Sequence, residues 1–293
     1  MCKKIIINAD DFGINNSITD SIIYTCENGI VSSTTIMSNM DGFEYAVNKA
    51  KGSEKLKIGI HYNLTEGKPI SQGSRVQCLI DEDGHFKNNL KQRKNLIYDG
   101  EVKRQVKIEL ESQLIRLLDY GIVPTHYDSH HHITGLPVAF MASKELAVKY
   151  KIKKARVTSI DYKYLKGFQC YERIKVIPRE IKNIPKSMLH KLNKRILNSA
   201  GILTPDEKIL LNNVLPIATN PIDQFMNLLS VLRDGITEVA FHPGSYYNND
   251  DAKKDEISGI RNRDYSIAIN DDVRKFIEKN NIKIVNYENA FNE

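Results

Sequence analysis

Cysteine is scarce and unclustered: Cys2, Cys26, Cys78 and Cys170 lie far apart and make no CxxC pair. That spacing argues against both a zinc knuckle and a disulfide framework. No apolar run reaches the roughly 18 residues of a membrane-crossing helix, so no membrane partner is expected. There is no GxGxxG or Walker-type loop, so a nucleotide cofactor is not expected either. Ser129 lacks the nucleophile-elbow context of a Ser-His-Asp hydrolase. Low-complexity tracts and internal repeats are absent. Met1-Cys2-Lys3-Lys4 leads straight into an apolar strand without a signal-peptide core, which points to a cytoplasmic protein.

What is present is a globular chain of 293 residues, 41% hydrophobic and 27% charged. One α/β barrel domain spanning residues 1–293 fits that length, because such barrels run long as single domains. The net charge of +6 is modest. Its local basic excess between Lys149 and Lys194 reads as a solvated face, and without a recognisable module no nucleic-acid partner is expected.

Strand and helix patterns alternate. Ile5-Ile6-Ile7 reads as a buried strand, and residues 15–29 as a helix closed by Gly29. Val31–Met37 and Leu56–His61 read as strands, with a helix over Phe43–Lys51 between them. Residues 70–100 are turn-rich and read as a loop or lid. Val102–Tyr120 carries Val106, Leu110, Leu114 and Leu117 on one helical stripe. A strand at Thr125–Asp128, a helix over Leu136–Tyr150 and a short strand at Ala155-Arg156-Val157 follow. Residues 160–215, interrupted by Pro178, Pro185 and Pro205 and followed by Pro216, read as an insertion of helices and loops. Asp223–Gly235 and Asp271–Asn281 read as helices, Ile236–Phe241 and Ile282–Tyr287 as strands. Such alternation predicts a parallel sheet wound with helices. About seven strands suit a barrel, even an incomplete one, better than the alternative of an open doubly wound sheet.

Metal-capable side chains fall at the ends of four of these strands: Asp10 and Asp11; His61; the cluster His126, Asp128, His130, His131 and His132; and His242. In a barrel the C-terminal strand ends converge on one rim, where active sites are built. Adjacent buried carboxylates at Asp10-Asp11 need a positive partner, and a metal ion is the usual one. The plainer reading is a turn with an Asp capping the next helix. On an extended strand His126, Asp128 and His130 share a face, and Asp128 suits the acceptor role that steadies a ligating imidazole. Parity with Asp128 favours His130 or His132 as a ligand. A lone histidine at the position of His61 is more often a hydrogen-bonded core residue than a ligand. The same holds for His242, whose weight as a rim residue is raised by the Pro243-Gly244 that opens the backbone after it.

The stretches Asn8-Ala9-Asp10-Asp11-Phe12-Gly13, Gly29 to Thr35, Gly59-Ile60-His61, Thr125 to His132 and Phe241-His242-Pro243 together resemble the motifs of the YdjC/ChbG family of carbohydrate deacetylases. The resemblance implies a distorted, incomplete (β/α) barrel. It implies an enzyme that removes N-acetyl groups from amino sugars or chitin-type oligosaccharides, with Asp11, His61 and His130 holding one divalent ion. Asp10 is then the general base, His242 the general acid, and Arg156 the residue that orients the base. Magnesium is the ion the resemblance implies; two imidazoles and one carboxylate suit zinc, cobalt or nickel by ligand softness. The resemblance also implies a homodimer, although no stretch of this chain marks an interface. Thr134 stands where many members carry a further His, and residues 160–215 match no family pattern. Two other readings compete: a metal-dependent phosphoesterase, which would want a second metal and more carboxylates at the rim, and a catalytically silent sugar-binding protein.

Overall fold

The structure, a computed structural model, describes residues 2–53, 55–87, 100–157, 188–211, 220–245 and 258–292. Parts of two stretches read from sequence, 88–99 of the loop or lid and 160–187 and 212–215 of the insertion, lie outside the described residues.

Among the described residues, seven strands form the sheet: β1 (Lys3–Phe12), β2 (Ser33–Ile36), β3 (Ile58–Tyr62), β4 (Tyr127–Ser129), β5 (Glu207–Leu210), β6 (Gly235–Phe241) and β7 (Lys283–Val285). They run in the order β4-β3-β2-β1-β6-β5, with β7 beside the first half of β1. Every pairing between them is parallel. Between the edge strands, isolated bridges Tyr127↔Ala155 and Lys154↔Leu203 carry the ladder from β4 toward β5. The result is a curled, incomplete (β/α) barrel.

Helices among the described residues include α1 (Asn16–Asn28), α2 (Phe43–Ala50), α3 (Gly100–Asp119), α4 (Pro137–Lys149), α5 (188–199), α6 (Pro221–Ser230), α7 (Ser258–Ala268) and α8 (Asp271–Lys279). Their boundaries follow local chemistry. The Asn15 side chain accepts from Ile18 N to start α1, so the cap is Asn15 rather than an Asp. Asn220 and Asn270 cap α6 and α8 in the same way. The α3 stripe Val102, Val106, Leu110, Leu114 and Leu117 is buried as its spacing requires. None of the described helices is long and apolar enough to cross a membrane.

Strand alternation divides the molecule into two environments. Ile5, Ile7 and Ala9 join the main apolar core with Ile18 and Ile22 of α1 and Val47 of α2. Each such side chain contributes roughly 1.5–3 kcal/mol on burial. On the other face Asn8 donates to Asp10, and the barrel interior is polar. Gly59 belongs to that interior: a Cβ there would lie 2.5 Å from Cε1 of His126, which fills the space and stacks on Tyr287.

Three elements differ from the sequence reading. Within the stretch read as helices and loops, β5 adds a strand to the sheet edge. Ala155-Arg156-Val157 forms bridges rather than a strand of its own. Helix α7 had no counterpart in the apolar pattern, because its buried residues include Arg261, Arg263 and Asp264.

Candidate metal centre and active site

Adjacent strand residues ordinarily point to opposite faces, so Asp10 and Asp11 should not share a site. A break in register between Ala9 and Phe12 on β1 resolves this. The extra residue is a bulge, with Asp11 in the left-handed region at φ 69. Both carboxylates are buried and both engage the residues of the rim. Gly13 then turns the chain at φ 84, as only glycine does easily. His131 and His132 share the left-handed conformation, at φ 49 and φ 57. Such non-glycine positions cost about 1 kcal/mol or more each and persist where the surroundings hold them.

Asp11 Oδ1 lies 2.9 Å from His130 Nδ1 and 3.4 Å from His61 Nε2. One nitrogen of each imidazole and one Asp11 oxygen fall within 4.8 Å of one another. Donors on a tetrahedral ion with bonds near 2.1 Å are about 3.4 Å apart, so this set fits a single first-row divalent cation. The far side of His61 is held by Asp128, with Oδ1 2.6 Å from Nδ1, and Thr35 Oγ1 donates to Asp128 Oδ2. Arg261 donates to Asp11 Oδ2 at 2.9 Å.

The carboxylates around this cluster favour charge on its imidazoles. Burial opposes charge on His61, but Asp128, Asp11 and Asp10 outweigh it and raise its pKa to about 10. His130 is likewise penalised by burial yet raised to about 9, chiefly by Asp11. The Asp11 carboxyl is held well below its usual value by His130 and Arg261 despite its burial. A binding cation must displace the imidazole protons.

Asp10 sits beside this set under a bidentate clamp. Arg156 donates to Asp10 Oδ2 at 2.6 Å and Oδ1 at 2.7 Å. Burial penalises the Asp10 carboxylate, but Arg156 outweighs that and holds its pKa far below the usual range. The same guanidinium reaches Asp128 Oδ2 and Glu238 Oε1, each at 2.6 Å. His242 Nε2 is 3.8 Å from Asp10 Oδ2, and the His242 backbone N–H donates to Asp264. Asp264 is in turn held by Arg263.

The residues singled out from sequence thus meet, with two exceptions within the histidine cluster. His126 is buried against Tyr287, and burial pushes its pKa down to about 3. Of the pair that parity favours, His130 lies in a metal-type group and His132 in none among the described residues. Sequence reasoning missed Glu66, Arg261, Arg263, Asp264 and Glu238.

Lys208 was missed as well. It is buried in register with Glu238, whose two oxygens are engaged by Arg156 and Tyr287, and Nζ has no hydrogen-bond partner among the described residues. Burial and the Arg156 charge push its pKa down to about 8. The unfolded chain therefore binds one more proton between that value and about 10.4, and stability rises with pH across this window. At pH 7 the penalty, roughly 3 kcal/mol, is present in full. Lys208→Met is expected to stabilise the protein at pH 7 by up to that amount, with the gain shrinking toward pH 10. Denaturant unfolding at both pH values measures it, and a variant no more stable at pH 7 would contradict the assignment.

Residues 4–279 match the family model described as YdjC-like protein. A carbohydrate deacetylase of Clostridium beijerinckii is 32% identical over 289 residues, covering 97% of this chain and 99% of its own. A carbohydrate deacetylase of Thermoanaerobacter pseudethanolicus is 28% identical over 287 residues, covering 97% and 98%. Among solved structures, an Enterococcus faecalis protein named for cellobiose-phosphate cleavage superposes with a TM-score of 0.75 at 28% identity, covering 98% of each chain.

Proposed function

The chain belongs to the YdjC-like family, and from that membership and the rim geometry we propose that it is a metal-dependent carbohydrate deacetylase. It hydrolyses the N-acetyl group of an amino sugar or chitin-type oligosaccharide. The observation that carries this reading is the meeting of Asp11, His61 and His130 donor atoms beside a clamped, ionised Asp10 and within reach of His242. Two relatives named carbohydrate deacetylase, aligned over nearly the whole chain, support the substrate class.

Asp11, His61 and His130 would hold the ion. Its two-nitrogen, one-oxygen donor set favours zinc or another first-row ion over the magnesium implied by resemblance. Bound there, a divalent cation supplies Lewis acidity, polarising the acetamide carbonyl and lowering the pKa of water from about 15.7 toward about 7. Asp10 stays ionised at every working pH because of Arg156, and accepts the proton of the attacking water. The same clamp makes it a weak base, so its contribution lies in position more than in proton affinity. Asp128 and Thr35 fix the His61 ring. His242 gives a proton to the departing amine nitrogen as the C–N bond breaks. Asp10 then gives up its proton and His242 regains one, which resets both groups.

Acetate release from N-acetylated chitooligosaccharides, assayed beside phosphate release from phosphate esters, tests the proposal. Metal-dependent acetate release supports it. Phosphate release, or sugar binding without turnover, would replace it with the phosphoesterase or the silent-binder reading.

A further inference from the structure

His61 and His130 are built alike, with the nitrogens exchanged. His61 turns Nε2 to Asp11 and Nδ1 to the carboxylate of Asp128. His130 turns Nδ1 to Asp11, and its Nε2 lies 3.2 Å from Glu66 Oε1, an ion-pair contact whose angle falls short of a hydrogen bond. We propose that Glu66 is the positioning residue of His130: its carboxylate accepts the Nε2–H, fixing the tautomer that leaves Nδ1 free to ligate. The inference deepens the metal reading above and rests on it.

The loop that carries Glu66 is built to hold it there. Asn63 Oδ1 accepts the backbone N–H groups of Thr65 and Glu66, and Asn63 Nδ2 donates to the Glu66 carbonyl at 2.7 Å. Asn39 donates to the same carbonyl. Asn63 is itself tied to α3, exchanging two hydrogen bonds with Gln113, which donates to Glu109. Asn63, Gln113 and Glu109 are all fully buried, so these bonds form where water cannot replace them. Thr65, next to Glu66, bonds His131 at 2.9 Å, so two successive loop residues meet two successive histidines. An exposed acidic side chain would need none of this support. Outer carboxylates that orient a ligating imidazole typically contribute about 10–100-fold to metal affinity.

Glu66, His130 and His131 also lie close enough to be read as a second cation site. A shared His130 argues against it, because Nδ1 and Nε2 would both have to ligate and the ring would lose its proton altogether. The two arrangements differ in stoichiometry.

Co²⁺ titration of the metal-free protein, by equilibrium dialysis and visible absorption, decides the matter. The wild type is expected to bind one ion per chain. Glu66→Ala should bind it about 10–100-fold more weakly, and Glu66→Gln, whose amide oxygen still accepts, by an intermediate factor. The metal-free thermal midpoint of Glu66→Gln should match the wild type, separating positioning from folding. Unchanged affinity in both variants overturns the proposal. Two ions in the wild type and one in Glu66→Ala overturn it too, making Glu66 a ligand. No ion in the wild type overturns the underlying metal reading instead.

Discussion

Asp10→Asn is expected to lower kcat by about 10²–10⁴-fold, the usual contribution of a positioned general base, while metal binding stays intact. Asparagine keeps the shape of the side chain and an oxygen for Arg156 but cannot accept the proton of water. Removing one member of a buried ion pair commonly destabilises by about 3–5 kcal/mol. Here the loss should be smaller, because Arg156 retains Asp128 and Glu238, each at 2.6 Å. Steady-state kinetics on metal-loaded protein, with bound metal and thermal midpoint measured on the same sample, checks this. A variant with wild-type turnover would remove Asp10 from the role of base.

His61→Ala is expected to abolish activity for a different reason, loss of the ion. His61 supplies one of three protein donors, so its removal should weaken binding beyond the roughly 10–100-fold typical of an outer partner. The readout need not be catalytic. A ligand at about 100 times its Kd stabilises the native state by about 2.7 kcal/mol, so added metal should raise the thermal midpoint of the wild type. His61→Ala should show no such rise at the same concentration. Asp128, which keeps Arg156 and Thr35 as partners, limits the damage to the metal-free fold. An undiminished metal-induced rise in the variant would show that His61 is not a ligand.

Much of this cluster was legible because barrel topology brings strand ends together. Asp10, Asp11, His61, His242 and the run from His126 to His132 could thus be gathered from a pattern of polar residues closing apolar runs. The choice of His130 within that run rests on the family resemblance. The bulge at Asp10-Asp11 was not legible. It is a register event between β1 and β2, and nothing in one strand's own sequence reports its partner's register. Strand β5 escaped because Lys208 faces a polar barrel interior, which erases the alternation that marks a half-buried strand. Arg261, Arg263 and Asp264 escaped because α7 buries charge against the rim rather than an apolar stripe. Glu66 lies on a loop, where side-chain position is set by Asn63 and Gln113 and not by any period. The interior that hid these residues is a set of carboxylates, arginines and imidazoles buried where each charge depends on its neighbours.

The most direct measurement is anomalous scattering from a crystal of the protein loaded with Co²⁺ or Zn²⁺. One peak is expected, within bonding distance of an Asp11 oxygen, His61 Nε2 and His130 Nδ1. An active, loaded enzyme with no peak at those three atoms, or with its ion held elsewhere, would contradict the assignment of the site.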